Sequence, residues 1–245
     1  MIDLKDVGSV DLLAIAAHRD DVELTCGGSL IAMHKKGYQT GILDLTAGET
    51  GTRGDAETRA EEARRAAAVM GVSYRANAGL PDAGVFNSDD TRRTVVEYIR
   101  AFKPTTVIIP FPKGRHPDHR ITSELARDAC YLAGLKKYKA DGAAHRPTKV
   151  LYAMAYREDP VKPTFVVDIS EVFEQKMEAI RCYSSQFDGA VQAGELFPTG
   201  QPLYDLIRLQ NAHYGSLIRA SYGEPFLTDE TLNVTDIVKL DVSTF

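Results

Sequence analysis

The chain contains no tryptophan and only three cysteines, Cys26, Cys130 and Cys182, in 245 residues. They are odd in number, far apart and form no C-x-x-C. That is a pattern of free thiols in a reducing compartment, and it excludes a cysteine-held zinc. The N-terminus, MIDLKDVGSV, is acidic and has no long apolar core, so it does not read as a secretory signal. No stretch approaches the roughly 20 apolar residues of a membrane-spanning helix. These absences predict a cytoplasmic protein. Basic residues are in the minority, and the net charge of −5 argues against a general nucleic-acid coat. The dinucleotide fingerprint G-x-G-x-x-G is missing as well, and Gly27-Gly28 does not supply it. There is no repeat, low-complexity segment or linker.

What is present is the composition of a soluble globular protein, 44% hydrophobic and 26% charged. The length fits one large domain over 1–245, in which the part after about 170 forms an extension packing on the core. Strand and helix patterns alternate. Apolar runs at 11–17, 40–45 and 106–110 read as buried parallel strands, with a weaker strand at 73–78 and others at 149–155 and 164–168. Helices are predicted over 27–36, closed by Gly37, and over 57–70 behind Asp55 as N-cap, with Gly71 past its end. Others follow Ser88 as far as Phe102, and run from about Arg120 to Ala133, over 171–183 and near 203–218. This order predicts a Rossmann-like, doubly wound α/β fold, its sheet mostly parallel with helices on both faces. In the common 3-2-1-4 arrangement, strands 1 and 4 are neighbours at the point where strand order reverses, and ligands bind beyond their carboxyl ends.

The two richest His/Asp clusters stand at those ends. Strand 1 runs into AHRDDVELT, and strand 4 into GRHPDH. Three protein ligands with one position left for water are the mark of a catalytic zinc site, and His18, Asp21 and His119 can supply them. Asp20 can face the other side as general base for that water. His116 can face the substrate as imidazolium, stabilising an oxyanion or protonating a leaving group, with Asp118 holding its charge. Glu23 reads as a helix-start carboxylate behind the ligands, and Asp82, in GLPD, as a turn former that can also contact the site. His34, His145 and His213 read as ordinary structural or exposed histidines. Arg19, Arg53, Lys113, Arg115 and Arg120 flank the same cleft, a basic rim on an acidic protein that suggests an anionic or strongly polar substrate.

H-R-D-D-x-E and H-P-D-H together resemble the zinc-dependent LmbE-like, or GlcNAc-phosphatidylinositol, de-N-acetylases. LDLTAGETGTRG, GLPDAGVF, KPTFVVDIS and YSSQF extend the likeness along nearly the whole chain, toward the bacillithiol-biosynthesis deacetylases that act on N-acetylglucosaminyl malate. The resemblance implies zinc on His18, Asp21 and His119, Asp20 as base, and His116 with Asp118 as oxyanion partner or acid. It also implies Arg53 in the substrate pocket and a homo-oligomer, trimer or hexamer. One position departs from the family's A-H-P-D-D: Arg19 stands where the proline would fix φ near −65°. Arg19 can pair with Glu23 or reach a substrate anion.

Two other functions remain open on the residues alone. Two histidines and a carboxylate also form the facial triad of Fe(II) oxygenases, so iron or another divalent metal fits the donor set. A sugar-binding protein without catalysis is the third.

Overall fold

In the computed structural model the described residues are 4, 7–154, 161–188 and 203–242. The first apolar run becomes β1 (Leu12–Ala16), buried along its whole length. It pairs in parallel with β2 (Thr40–Thr46) on one side and β4 (Thr106–Pro110) on the other. β3 (Tyr74–Leu80) continues in parallel beyond β2, and β5 (Lys149–Ala153) beyond β4. The expected 3-2-1-4 order is therefore present. Residue 155, the expected end of the fifth strand, lies outside the described residues.

Alternate residues of β1 serve two separate cores, as strand geometry requires. Leu12, Ala14 and Ala16 join one, with Leu30 and Ile31 of α2 (Gly27–Lys35) and Ala66 and Met70 of α3 (Ala56–Met70). Leu13 and Ile15 join the other, with Val95 and Phe102 of α4 (Asp89–Phe102) and Leu125 and Ala129 of α5 (Pro117–Ala133). Helices thus cover both faces. The caps follow the sequence: Asp55 accepts from the Thr58 amide at 2.7 Å, Ser88 forms a capping box with Thr91, and Gly71 closes α3 at φ +72°. α5 starts earlier than expected because His116 is its N-cap and Pro117 takes the first helical position, where a missing N–H costs nothing.

Three further features differ from the sequence expectation. The helix expected over 171–183 is a 3-10 turn at Ser170–Val172 followed by α6 (Phe173–Arg181), and the chain then turns again into α7 (Ser184–Phe187). A short α1 (Asp21–Thr25) also precedes α2. A strand that the sequence does not announce, β7 (Gly223–Leu227), lies antiparallel between β5 and β6 (Phe165–Asp168), completing the order β3-β2-β1-β4-β5-β7-β6. Gly223 and Pro225 argue against a strand. It forms because Phe226 is buried in the core and Glu224 has an internal partner.

That partner is Lys176 of α6, whose Nζ lies 2.7 Å from Glu224 Oε1 with both side chains inaccessible. The same carboxylate accepts from the amides of Gly28 and Ser29, at 2.8 and 2.7 Å. The amino end of α2, the place where dinucleotide-binding folds hold a phosphate, is thus filled by the chain's own carboxylate. A Cβ at residue 28 would lie 3.0 Å from Glu224 Oε1 and 2.9 Å from Ile169, so the glycine there serves close packing. α6 packs against α2 and α3, and α8 (Leu203–Ser216) against β7.

Candidate active site and metal centre

At the carboxyl end of β1 the chain turns through His18, Arg19 and Asp20 into α1. At the end of β4 it turns into α5 through His116. Because β1 and β4 are neighbours, the two turns face each other across a cleft of about 680 Å³. His18, Asp20, Asp21, Asp82, His116 and His119 line it, above an apolar floor that includes Ile108 and Phe111. The two clusters that the sequence places at this end of the sheet are therefore in one site.

His18, Asp21 and His119 each present one donor atom within 4.8 Å of the others. His18 Nδ1 lies 3.3 Å from His119 Nε2 and 3.4 Å from Asp21 Oδ2. Asp21 Oδ1 lies 3.1 Å from His119 Nε2, while the Asp21 carboxylate also accepts from the His18 amide at 2.9 Å and fixes the turn. His18, His116 and Asp118 form a second group of the same size on the other side of the His18 ring.

The charges favour a cation at this point. Burial disfavours the charged imidazolium of His18, but Asp21, with Asp20 and Asp82 behind it, outweighs burial and raises the pKa to about 10. Burial would likewise raise Asp21, yet the imidazoles of His119 and His18 hold it well below the usual carboxylate range. A convergent pair of imidazoles and a carboxylate in a field that stabilises positive charge fits a divalent metal ion, with nitrogen and oxygen donors of the kind zinc takes.

Asp20 is not one of those three donors. Burial, and then the neighbouring Asp21 charge, raise its pKa, opposed by Arg59 and His18. Arg59 of α3 sets its orientation, with Nη2 3.4 Å from Asp20 Oδ1 and Nη1 donating to the Gly48 carbonyl at 2.7 Å. His116 differs from the imidazolium expected of it: burial lowers its pKa, and the charges of His18 and His119 lower it further. Its Nδ1 accepts from the Asp118 amide at 3.2 Å, which leaves the ring proton on Nε2. The Asp118 carboxylate lies within 4.8 Å of a His116 nitrogen, but its hydrogen bonds go to other partners. It accepts from the Ala83 amide at 2.8 Å and lies 3.5 Å from His18 Nε2.

Residues outside the expected ligand and catalytic set also hold the site. Asp82 is more than a turn former: its Oδ1 lies 3.1 Å from His18 Nε2, and its Oδ2 accepts from the Thr50 amide and hydroxyl at 2.9 and 2.6 Å. Behind the turn, the Arg75 guanidinium of β3 joins Asp44 at 2.8 Å and Glu23 at 2.6 Å, and donates to the Arg19 carbonyl oxygen. Tyr183 donates to that same oxygen and lies 2.8 Å from Glu23. The visible signal for Arg59 was its place on the apolar face of α3, at helical spacing with Ala63 and Ala66.

The basic rim is less uniform than its sequence suggests. Arg19 does not line the cleft, and its Nη1 donates to the Ala56 carbonyl at 2.7 Å, while Glu23 is engaged by Arg75 instead. Arg53 reaches across to the Asp188 carbonyl at 3.3 Å, beside Gln186, which lines the cleft. Arg120 donates to the carbonyls of Gly114 and Arg115, whose own side chain faces the cleft. His145 lies 2.7 Å from the Pro104 carbonyl, and neither it nor His34 or His213 lines the cleft.

The description "GlcNAc-PI de-N-acetylase" of the PIG-L family matches residues 13–130, a span that contains both clusters. The chain is 31% identical over 188 residues to the diacetylchitobiose deacetylase of Thermococcus kodakarensis, covering 72% of this chain and 70% of the other. It is 29% identical over 196 residues to the "Probable N-acetyl-alpha-D-glucosaminyl L-malate deacetylase 2" of Bacillus subtilis, covering 74% and 85%. A solved structure, a conserved protein of Thermus thermophilus, superposes with a TM-score of 0.83 at 33% identity, over 92% of this chain and 98% of that one. Sequence, fold and the two clusters agree: the chain belongs to the PIG-L, or GlcNAc-PI de-N-acetylase, family of metal-dependent enzymes.

Proposed function

We propose that the protein is a zinc-dependent hydrolase that removes the acetyl group from an N-acetylglucosamine-containing small molecule, with N-acetylglucosaminyl malate, as in bacillithiol biosynthesis, the first substrate to try. The observation that carries this reading is the convergence of His18, Asp21 and His119 beside Asp20 and His116 in one cleft, in a member of a de-N-acetylase family. One named relative is a diacetylchitobiose deacetylase and the other a probable N-acetylglucosaminyl malate deacetylase, so a chitooligosaccharide is an equal alternative for the aglycone side.

His18, Asp21 and His119 would hold the metal, which when bound supplies a Lewis acid that polarises the amide carbonyl and acidifies a water. Asp20 accepts a proton from the attacking water, a task suited to a carboxylate whose pKa is raised above its ordinary value. His116 donates from Nε2 to the carbonyl oxygen as negative charge develops there. Asp20 then returns its proton to the nitrogen as the C–N bond breaks, leaving a free amine and acetate. Arg53 would meet an anionic group on the aglycone. Residues 1–245 act as one domain, with the part after about 170 packed on the core, in a cytoplasmic homo-oligomer, trimer or hexamer. No helix among the described residues is long and apolar enough to cross a membrane.

Acetate release from a panel of N-acetylglucosamine, its malate conjugate and diacetylchitobiose tests the proposal, with metal content measured on the same preparation. Release from at least one, lost on chelation and restored by zinc, is the expected result. No acetate from any of them by the metal-loaded protein would overturn it.

A further inference from the structure

The two nitrogens of His18 face different partners. Nδ1 looks toward Asp21 and His119. Nε2 looks the opposite way, 3.1 Å from Asp82 Oδ1 and 3.5 Å from Asp118 Oδ2. A neutral imidazole that gives one nitrogen to a metal carries its proton on the other, and that buried proton needs an acceptor. We infer that Asp82 is that acceptor, a positioning residue that fixes the tautomer and ring direction of His18 for metal capture. The inference rests on the assignment of His18 as a ligand through Nδ1.

Three observations favour Asp82. It is the nearer carboxylate to Nε2, at 3.1 Å against 3.5 Å for Asp118. It is rigid, because Oδ2 is tied to both the amide and the hydroxyl of Thr50, across the cleft loop. It is withdrawn from water, with 5% of its side chain exposed. The backbone at the next residue is shaped to the same end: Ala83 sits at φ +57°, a region that L side chains rarely adopt, and its amide serves Asp82 Oδ1 at 2.9 Å as well as Asp118.

The test is the zinc affinity of the apo protein, read by competition with a chromophoric chelator, without any substrate. Asp82→Ala is expected to weaken zinc binding by about 10–100-fold, the usual effect of losing a carboxylate behind a ligand histidine. Asp82→Asn, which keeps an acceptor oxygen without the charge, should fall between it and the parent. Thermal melting of the apo forms shows that each variant folds. Zinc affinity within twofold of the parent in both variants would overturn the inference, even if KM rose, because Asp82 would then be a substrate contact alone. His119→Ala separates the two claims: if it loses zinc while Asp82→Ala does not, only this inference fails. If His119→Ala also keeps zinc, the ligand assignment fails with it.

Discussion

Tyr183, at the start of α7, donates its hydroxyl to the carbonyl oxygen of Arg19, the peptide that joins His18 to Asp20. Arg75 donates to the same oxygen from the opposite side of the network. The turn that lacks the family's stiff proline is therefore held from beneath, by side chains of β3 and of the segment after α6. Tyr183→Phe removes one of the two donors. Loss of that one hydrogen bond costs about 0.5–1.5 kcal/mol. Urea unfolding should show that loss, and kcat should fall more than KM rises, because the aromatic ring still fills the core. A variant with unchanged stability and unchanged kcat would show that the Tyr183 hydroxyl holds nothing.

Arg59 and Asp20 give a pH prediction. The Arg59 charge stabilises the Asp20 carboxylate against the burial that raises its pKa. Arg59→Met removes that charge, so Asp20 holds its proton to a higher pH. The proposed base works only when deprotonated, and the acidic limb of the kcat/KM profile should therefore move upward in pH. Arg59→Lys should move it less. A limb that stays in place in Arg59→Met, or moves downward, would remove Arg59 from the tuning of the base.

Much of this arrangement was legible in the sequence, and the limits have physical causes. Apolar runs such as Leu12–Ala16 and the caps Asp55 and Ser88 are local signals, and they marked the core strands and two helices. The meeting of AHRDD with HPDH followed from strand order, because a right-handed crossover rule restricts which strands lie side by side. β7 was not legible, since its Pro225 and Gly223 read locally as breakers, while what stabilises it is the Glu224–Lys176 pair, 48 residues apart in sequence. Asp82 looked like a turn residue because its partner, His18, is distant along the chain and the contact exists only after folding. The same holds for Arg59 and Arg75, whose partners are distant along the chain; for Arg59 the charge on the apolar face of α3 was the available signal. The contact of Asp118 with Ala83 and His18, in place of His116, depends on the left-handed turn at Ala83, which an alanine does not advertise.

Arg19 separates two accounts of the basic rim. Its guanidinium donates to the Ala56 carbonyl and does not line the cleft. Arg19→Pro should therefore act on the loop, through the loss of one exposed hydrogen bond of about 0.5–1.5 kcal/mol and the gain of a fixed φ. KM for an acidic conjugate and for neutral N-acetylglucosamine should change by the same factor. A loss of about 10–100-fold confined to the acidic conjugate, the equivalent of a charged contact, would instead place Arg19 on the substrate.

The most direct test of the account measures bound zinc and acetate release on the same preparations of the parent, Asp20→Asn and His119→Ala. The account predicts zinc in the parent and in Asp20→Asn, and its loss in His119→Ala after dialysis against a mild chelator. Acetate release should fall with the metal in His119→Ala, and by roughly 10²–10⁴-fold in Asp20→Asn although the metal stays bound. Full zinc in His119→Ala, or near-parent turnover in Asp20→Asn, would contradict it.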